Sequence, residues 1–176
     1  MSVLVICEHN NVDVREVTLN TVRAALELSQ EVDLLVAGND CASVAESCAS
    51  ISGVKNVFVA NDRLYEHGLP EYLAPLVARH AAGYTHVLSA ASTFGKNLLP
   101  RVAALLDVQQ ISDINEIQSE DVFVRPIYAG NALATVKSTD RIKLITVRTT
   151  AFDPVLTQGG NAVTQKVEPI TENTLS

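Results

Sequence analysis

The chain has 176 residues, enough for about one domain and a tail. Hydrophobic residues make up 47% and charged residues 19%, which excludes a disordered polymer. The net charge of −7 excludes a nucleic-acid backbone as the expected partner, because binding by counterion release needs clustered Lys and Arg.

The first ten residues enter an apolar run directly, without a basic leader or an Arg-rich amphipathic presequence, and no stretch has the apolar length to cross a bilayer. This pattern predicts a cytoplasmic protein or the mature form of an organellar one. Val3 to Cys7 reads as a buried strand, and Glu8 to Arg15 as a polar loop. From Thr18 the period becomes helical: Leu19, Val22, Ala25 and Leu26 share a face opposite Arg23 and Glu27. Val32 to Ala37 is a second strand. Asp40 is placed to cap a helix starting near Cys41, with Val44, Ala45, Cys48 and Ile51 inward and Gly53 at its stop. Val57 to Ala60 is the third strand. A helix opened by Pro70 follows, with Leu73, Leu76, Val77 and His80 on one side. His86 to Ala90 is the fourth strand. Ala91 to Asn97 reads as a small polar turn, and the next helix uses Leu98, Leu99, Val102, Ala103, Leu105 and Leu106, with Pro100 expected in its first turn.

The strands are short and apolar on both faces. They predict an α/β fold with an open, doubly wound, mostly parallel sheet covered by helices. After residue 110 four strand-like runs follow without helices between them: Ile111 to Ile117, Phe123 to Ala129, Ala132 to Lys137 and Ile142 to Val147. The pair Gly130-Asn131 reads as a hairpin turn, since both types tolerate positive φ. These runs predict an antiparallel extension on one edge of the sheet. The domain is expected to end at residue 153, with 154–176 a linker or tail of little structure, since no period of 2 or 3.6 persists there.

Few residues in this pattern carry chemistry. The three cysteines Cys7, Cys41 and Cys48 include no CxxC pair, so neither a disulfide framework nor a zinc site is expected. Cys41 and Cys48, two helical turns apart, would lie about 10 Å apart along an axis, too far for a bond. All three read as buried small hydrophobes. His9, His67, His80 and His86 lack metal-ligand spacing, so no metal is expected. Ser112-Asp113 has no GxSxG elbow around it. Glu8-His9 at the end of the first strand is a possible acid–base pair, but no nucleophile with an orienting group accompanies it, and no catalytic residue is expected. The segment Ala91-Ser92-Thr93-Phe94-Gly95-Lys96-Asn97 follows a strand and opens a helix, the setting of an anion site, although it is not a Walker A loop. Gly95, Lys96, Asn97 and Arg101 therefore mark either an anion site or an interface turn. In the plainer reading Gly95 makes a tight turn, Asn97 caps the helix, and Lys96 and Arg101 face solvent or another domain.

Residues Phe94-Gly95-Lys96-Asn97-Leu98-Leu99-Pro100-Arg101-Val102-Ala103-Ala104 resemble the alpha subunit of electron transfer flavoproteins. So do Leu19-Asn20-Thr21, Ile111-Ser112-Asp113, Phe123-Val124-Arg125-Pro126-Ile127-Tyr128-Ala129-Gly130-Asn131-Ala132, Val147-Arg148 and Phe152-Asp153, in that family's order and spanning Met1 to about Asp153. The resemblance implies the N-terminal domain of that subunit, with a nucleotide-binding-like α/β fold of the adenine nucleotide alpha hydrolase type. It implies a heterodimer with a beta subunit, which holds AMP. The assembled protein would carry electrons from acyl-CoA and related dehydrogenases to a quinone oxidoreductase. The FAD would be held by the C-terminal domain, which lies beyond Ser176, so no FAD-contacting residue is carried over and this chain is expected to bind none. It would act as an electron-transfer subunit rather than an enzyme, located in the bacterial cytoplasm or the mitochondrial matrix. The alternative reading is a free-standing adenine-nucleotide-binding domain using the turn from Phe94 to Asn97.

Overall fold

Runs of Val, Ile and Leu suit extended backbone buried on both sides, because branched side chains pack well on a pleated surface. In the computed structural model, which describes residues 1–171, these runs form β1 (Val3–Ile6), β2 (Val32–Gly38), β3 (Val54–Asn61) and β4 (His86–Ala90). The helices between and after them are α1 (Glu16–Ala25), α2 (Ala42–Ala49), α3 (Pro70–Ala81) and α4 (Thr93–Leu106). Then come β5 (Gln110–Ile114), β6 (Glu116–Ile117), β7 (Val122–Ile127), β8 (Ala132–Lys137), β9 (Lys143–Val147) and β10 (Val163–Lys166). The fold is the α/β class expected. Seven parallel strands run in the order β10-β3-β2-β1-β4-β9-β5, with a separate three-stranded antiparallel sheet β6-β7-β8.

Two apolar layers sandwich the large sheet. Val3, Val5, Leu34 and Val36 join one core with α1 and α2; Leu4, Ile6 and Leu35 join the other with α3 and α4. Alternate residues of one strand thus enter different cores, which explains why the strands read as continuously apolar.

The region after residue 110 differs from the expected edge extension in detail. The last run, β9, is inserted into the parallel sheet between β4 and β5. The middle strands form their own sheet, which provides the crossover between the parallel neighbours β5 and β9. Phe123 of β7 lies in the same core as α1 and α2, so this small sheet covers the face that a helix covers elsewhere. The run Ile111 to Ile117 is broken at Asp113, whose φ of 59° interrupts the pairing register. The hairpin reverses over Tyr128–Asn131. Its left-handed residues are Tyr128, Ala129 and Gly130, while Asn131 sits at −77°.

Three local expectations are corrected. Asp40 adopts φ 49° and does not cap α2, whose N-cap is Cys41. α4 begins at Thr93 under a Ser92 cap, so Asn97 lies inside the helix and does not cap it. Pro100 is consequently interior rather than in the first turn; it faces solvent, where water can satisfy the Lys96 carbonyl that loses its donor.

The segment from Pro154 is also more ordered than the linker expected. Its main chain bonds the body of the domain through Ser52 N–H to the Leu156 carbonyl (3.0 Å) and Ala162 N–H to the Ala49 carbonyl (2.9 Å). β10 then pairs with β3 as an edge strand, and Ile170 is buried, its N–H donating to the Tyr65 hydroxyl at 2.9 Å. All four side chains of β10 are exposed. An edge strand held by main-chain bonds and one polar side-chain contact, Gln165 Nε2 to Asn56 Oδ1 at 3.2 Å, leaves no apolar period to read. Residues 172–176 of the expected tail lie outside the described residues.

Candidate functional site

In an open parallel sheet, ligands collect at the carboxyl ends of the strands where the winding direction reverses. Here that point lies between β1 and β4. The loop after β1 and the N-terminus of α4 meet there, beside a crevice of about 360 Å³ lined by Glu8, His9, Arg15, Tyr65, His67 and Phe94, among others.

A helix N-terminus presents free N–H groups and a partial positive charge, and so attracts an anion. At α4 the anion comes from the chain itself. Ser92 Oγ accepts from the Gly95 N–H at 3.2 Å and donates to Glu8 Oε2 at 2.7 Å. A phosphate arriving at this terminus would meet the Gly95 N–H already capped by Ser92 and a carboxylate beside the cap. Gly95 itself is buried, and a Cβ on it would stand 1.9 Å from the Ala90 carbonyl oxygen and 2.7 Å from Ser89 Oγ. It is therefore a contact glycine that seats α4 on the end of β4. Lys96, Asn97 and Arg101 lie on the exposed side of α4, and Arg101 pairs with Glu71 of α3 at 3.1 Å. The four residues expected to mark one turn are thus divided between a packing contact and an open helix face.

The Glu8-His9 pair is also resolved. His9 Nε2–H donates to the Ala37 carbonyl and Nδ1 accepts from the Asn11 N–H, each at 2.9 Å. Both ring nitrogens are spent on holding the loop, and burial pushes the imidazole pKa down. Asn11 completes the arrangement by donating to the Glu66 carbonyl (2.8 Å) and accepting from the Asn39 N–H (2.9 Å). His86 is held in the same way, between Thr85 Oγ1 (2.8 Å) and the Glu120 carbonyl (2.7 Å), and its pKa is also lowered by burial. His80 is lowered by burial and by Arg79, with Nε2 unpartnered. No cluster of metal-ligating groups occurs among the described residues.

A histidine whose folded pKa is depressed stabilises the fold above its unfolded pKa and loses that contribution as pH falls through it. Thermal stability is therefore expected to decline from about pH 7 to pH 5, around the ordinary imidazole value of about 6.5. The check is the melting temperature across that window in the wild type and in a His9→Gln, His86→Gln double variant. The variant should lose part of the slope; an unchanged slope refutes the assignment.

Outside α4, several residues of the stretches that carry the family resemblance hold one joint. Arg148 makes a bidentate pair with Asp113, at 2.6 and 3.3 Å, and the carboxylate pushes the guanidinium pKa up. The Asp113 N–H donates to Thr146 Oγ1 (2.9 Å), and Arg125 Nε donates to the Ser112 carbonyl (2.8 Å). Asn20 on α1 donates to the Phe152 carbonyl at 2.7 Å. Together they tie β5, β7 and β9 to α1. Ser92, Asn11 and Tyr65 were not singled out by the sequence. Ser92 offered a signal, an N-cap residue before the Thr93 turn, whereas the other two act through distant partners.

The geometry defines a doubly wound α/β domain whose switch point holds a Glu8–Ser92 contact beside a crevice and whose α4 face is exposed. The sequence profile of the electron transfer flavoprotein domain matches residues 3–173. The chain is 54% identical over 167 residues to the electron transfer flavoprotein subunit alpha of Pseudomonas aeruginosa, covering 95% of this chain and 54% of that one. It is 48% identical to the mitochondrial subunit alpha of Dictyostelium discoideum (90% and 47% covered) and 44% identical to the subunit alpha of Paracoccus denitrificans (98% and 54%). The chain belongs to the electron transfer flavoprotein family, and it spans about half the length of these alpha-subunit relatives. No helix among the described residues is long and apolar enough to cross a membrane.

Proposed function

We propose that this chain is the positioning domain of an electron transfer flavoprotein alpha subunit. It packs against a beta subunit and supports the part of the protein that holds the flavin. The profile match across residues 3–173 carries this reading. The assembled heterodimer carries electrons from acyl-CoA and related dehydrogenases to a quinone oxidoreductase, in the bacterial cytoplasm or the mitochondrial matrix. In such a protein the cofactor performs the redox step while the polypeptide sets distance and orientation. The domain supplies that rigid body, with the segment after residue 153 packed on it through β10.

The groups at the α4 N-terminus do not fit FAD. A pyrophosphate is bound by free N–H groups and positive charge, but here Ser92 caps the Gly95 N–H and the Glu8 carboxylate, a like charge, stands beside that cap. The same arrangement weighs against the free-standing adenine-nucleotide reading. No redox step is assigned to these residues, and the purified chain is expected to retain no flavin absorbance after incubation with FAD and removal of the free cofactor by gel filtration.

The exposed face of α4 is the proposed beta-subunit contact. It carries Lys96, Asn97, Pro100, Arg101, Ala104 and Leu105, the last 56% exposed. Gly95 contributes by seating the helix. Co-expression with a beta subunit of the family, followed by size-exclusion chromatography, tests the assembly, and failure of the wild type to associate overturns it. Lys96→Glu with Arg101→Glu should weaken association at least about tenfold, equal to about 1.4 kcal/mol. The melting temperature should hold, because exposed charges contribute little to stability. Unweakened association would move the contact elsewhere.

A further inference from the structure

Cys7 and Cys48 are 41 positions apart in sequence, yet their sulfurs lie 3.6 Å apart. Cys7 follows β1 and lines the crevice at the strand ends; Cys48 sits in the last turn of α2. Both side chains are buried in the same core, and all three cysteines are free thiols. Small apolar residues would serve packing here equally well, whereas two thiols in contact add a reactivity that packing does not need.

We propose that Cys7 and Cys48 form a dithiol oxidation site, which hydrogen peroxide converts to a disulfide joining the β1 end to α2. The Cys7 sulfur, nearer the crevice, attacks the peroxide oxygen and becomes a sulfenic acid as water leaves. Cys48 then attacks the Cys7 sulfur; the S–S bond forms, the hydroxyl departs, and with the Cys48 proton it makes a second water. Two electrons and two protons leave the cysteines, and the peroxide is reduced to two waters. A disulfide needs the sulfurs at about 2.0 Å, so roughly 1.5 Å of closure is shared between two side chains. The hydrogen bond to Cys48 and burial hold the Cys7 thiol well above its ordinary range, so the first step is slow. Cys41, two turns from Cys48 along α2, is outside the pair.

The consequence is a staple between the loop that fills the switch point and the helix beside it. Closing a loop of this length constrains the unfolded chain, and the oxidised protein is expected to melt roughly 10 °C higher.

The test is treatment of the reduced 176-residue chain with hydrogen peroxide, alkylation under denaturing conditions, and peptide mapping without reductant. The expected result is loss of two of the three thiols, a cross-linked peptide pair containing Cys7 and Cys48, and Cys41 recovered as its alkyl derivative. Reductant should reverse both the link and the gain in melting temperature. Cys41→Ala should keep the link, and Cys48→Ala should leave a Cys7 sulfenic acid that dimedone traps. Three surviving thiols, a link through Cys41, or irreversible oxidation of unlinked sulfurs would each overturn the proposal. The wild-type peptide map is decisive by itself, so the proposal stands or falls even if a variant fails to fold.

Discussion

Gly95→Ala is expected to lower the melting temperature by roughly 6–12 °C, a loss of about 3 kcal/mol. Helix propensity alone predicts the opposite sign, since alanine inside a helix gains up to about 1 kcal/mol over glycine. Sterics decide the outcome. The added methyl would stand 1.9 Å from the Ala90 carbonyl oxygen, a backbone atom at the end of β4. That carbonyl cannot swing away like a side chain, so α4 must lift from the sheet. Lifting it breaks the Ser92 cap and the contact between Ser92 and Glu8 that fills the switch point. Gly130→Ala is the control. It has φ 87° but nothing within 4 Å of the added carbon, so it should show only the left-handed penalty of about 1–2 kcal/mol. Thermal denaturation of both variants suffices. A Gly95→Ala protein at least as stable as the wild type would show that α4 is not seated on β4 in this way.

Phe123→Ala should destabilise by about 3–5 kcal/mol, the usual range for emptying a buried aromatic position. Phe123 is fully buried at the centre of the small sheet, paired on one side with Val136 of β8 and on the other with Ile117 of β6. Its ring meets the His86 ring edge-on at 6.5 Å, so it joins the small sheet to β4 of the large one. Loss of the ring should therefore be regional: amide exchange should accelerate first in β6, β7 and β8 while β1 to β4 stay protected. Leu133→Ala lies in the same small sheet but is 63% exposed, and it should remain within about 0.5 kcal/mol of the wild type. Equal effects of the two substitutions would mean that the small sheet does not close the core.

The filled switch point changes how the motif around Gly95 is understood. A strand, a small-residue turn and a helix start are the ingredients of an anion site, but here Ser92 caps the helix. Its hydroxyl is held by Glu8, 84 positions away. A sequence pattern shows that a helix terminus will seek negative charge, but not which group arrives there. The same holds for His9, whose catalytic potential depended on a free ring nitrogen and ended when Ala37 and Asn11 took both.

The alternation of apolar strands and amphipathic helices was readable from the chain alone, because side-chain period is a local property that burial on one or two faces imposes directly. That reading covered β1 to β4, α1 to α4, the α/β class and the residues carrying the family likeness. It did not place β9 between β4 and β5, make the strands of the small sheet a crossover, or show that β10 extends the sheet. It did not bring Cys7 to Cys48, Glu8 to Ser92 or Asp113 to Arg148. Those outcomes depend on strand order, on main-chain hydrogen bonds indifferent to side-chain type, and on contacts between residues far apart in the chain. Local periodicity encodes which face of an element is buried; only the folded packing decides what it is buried against.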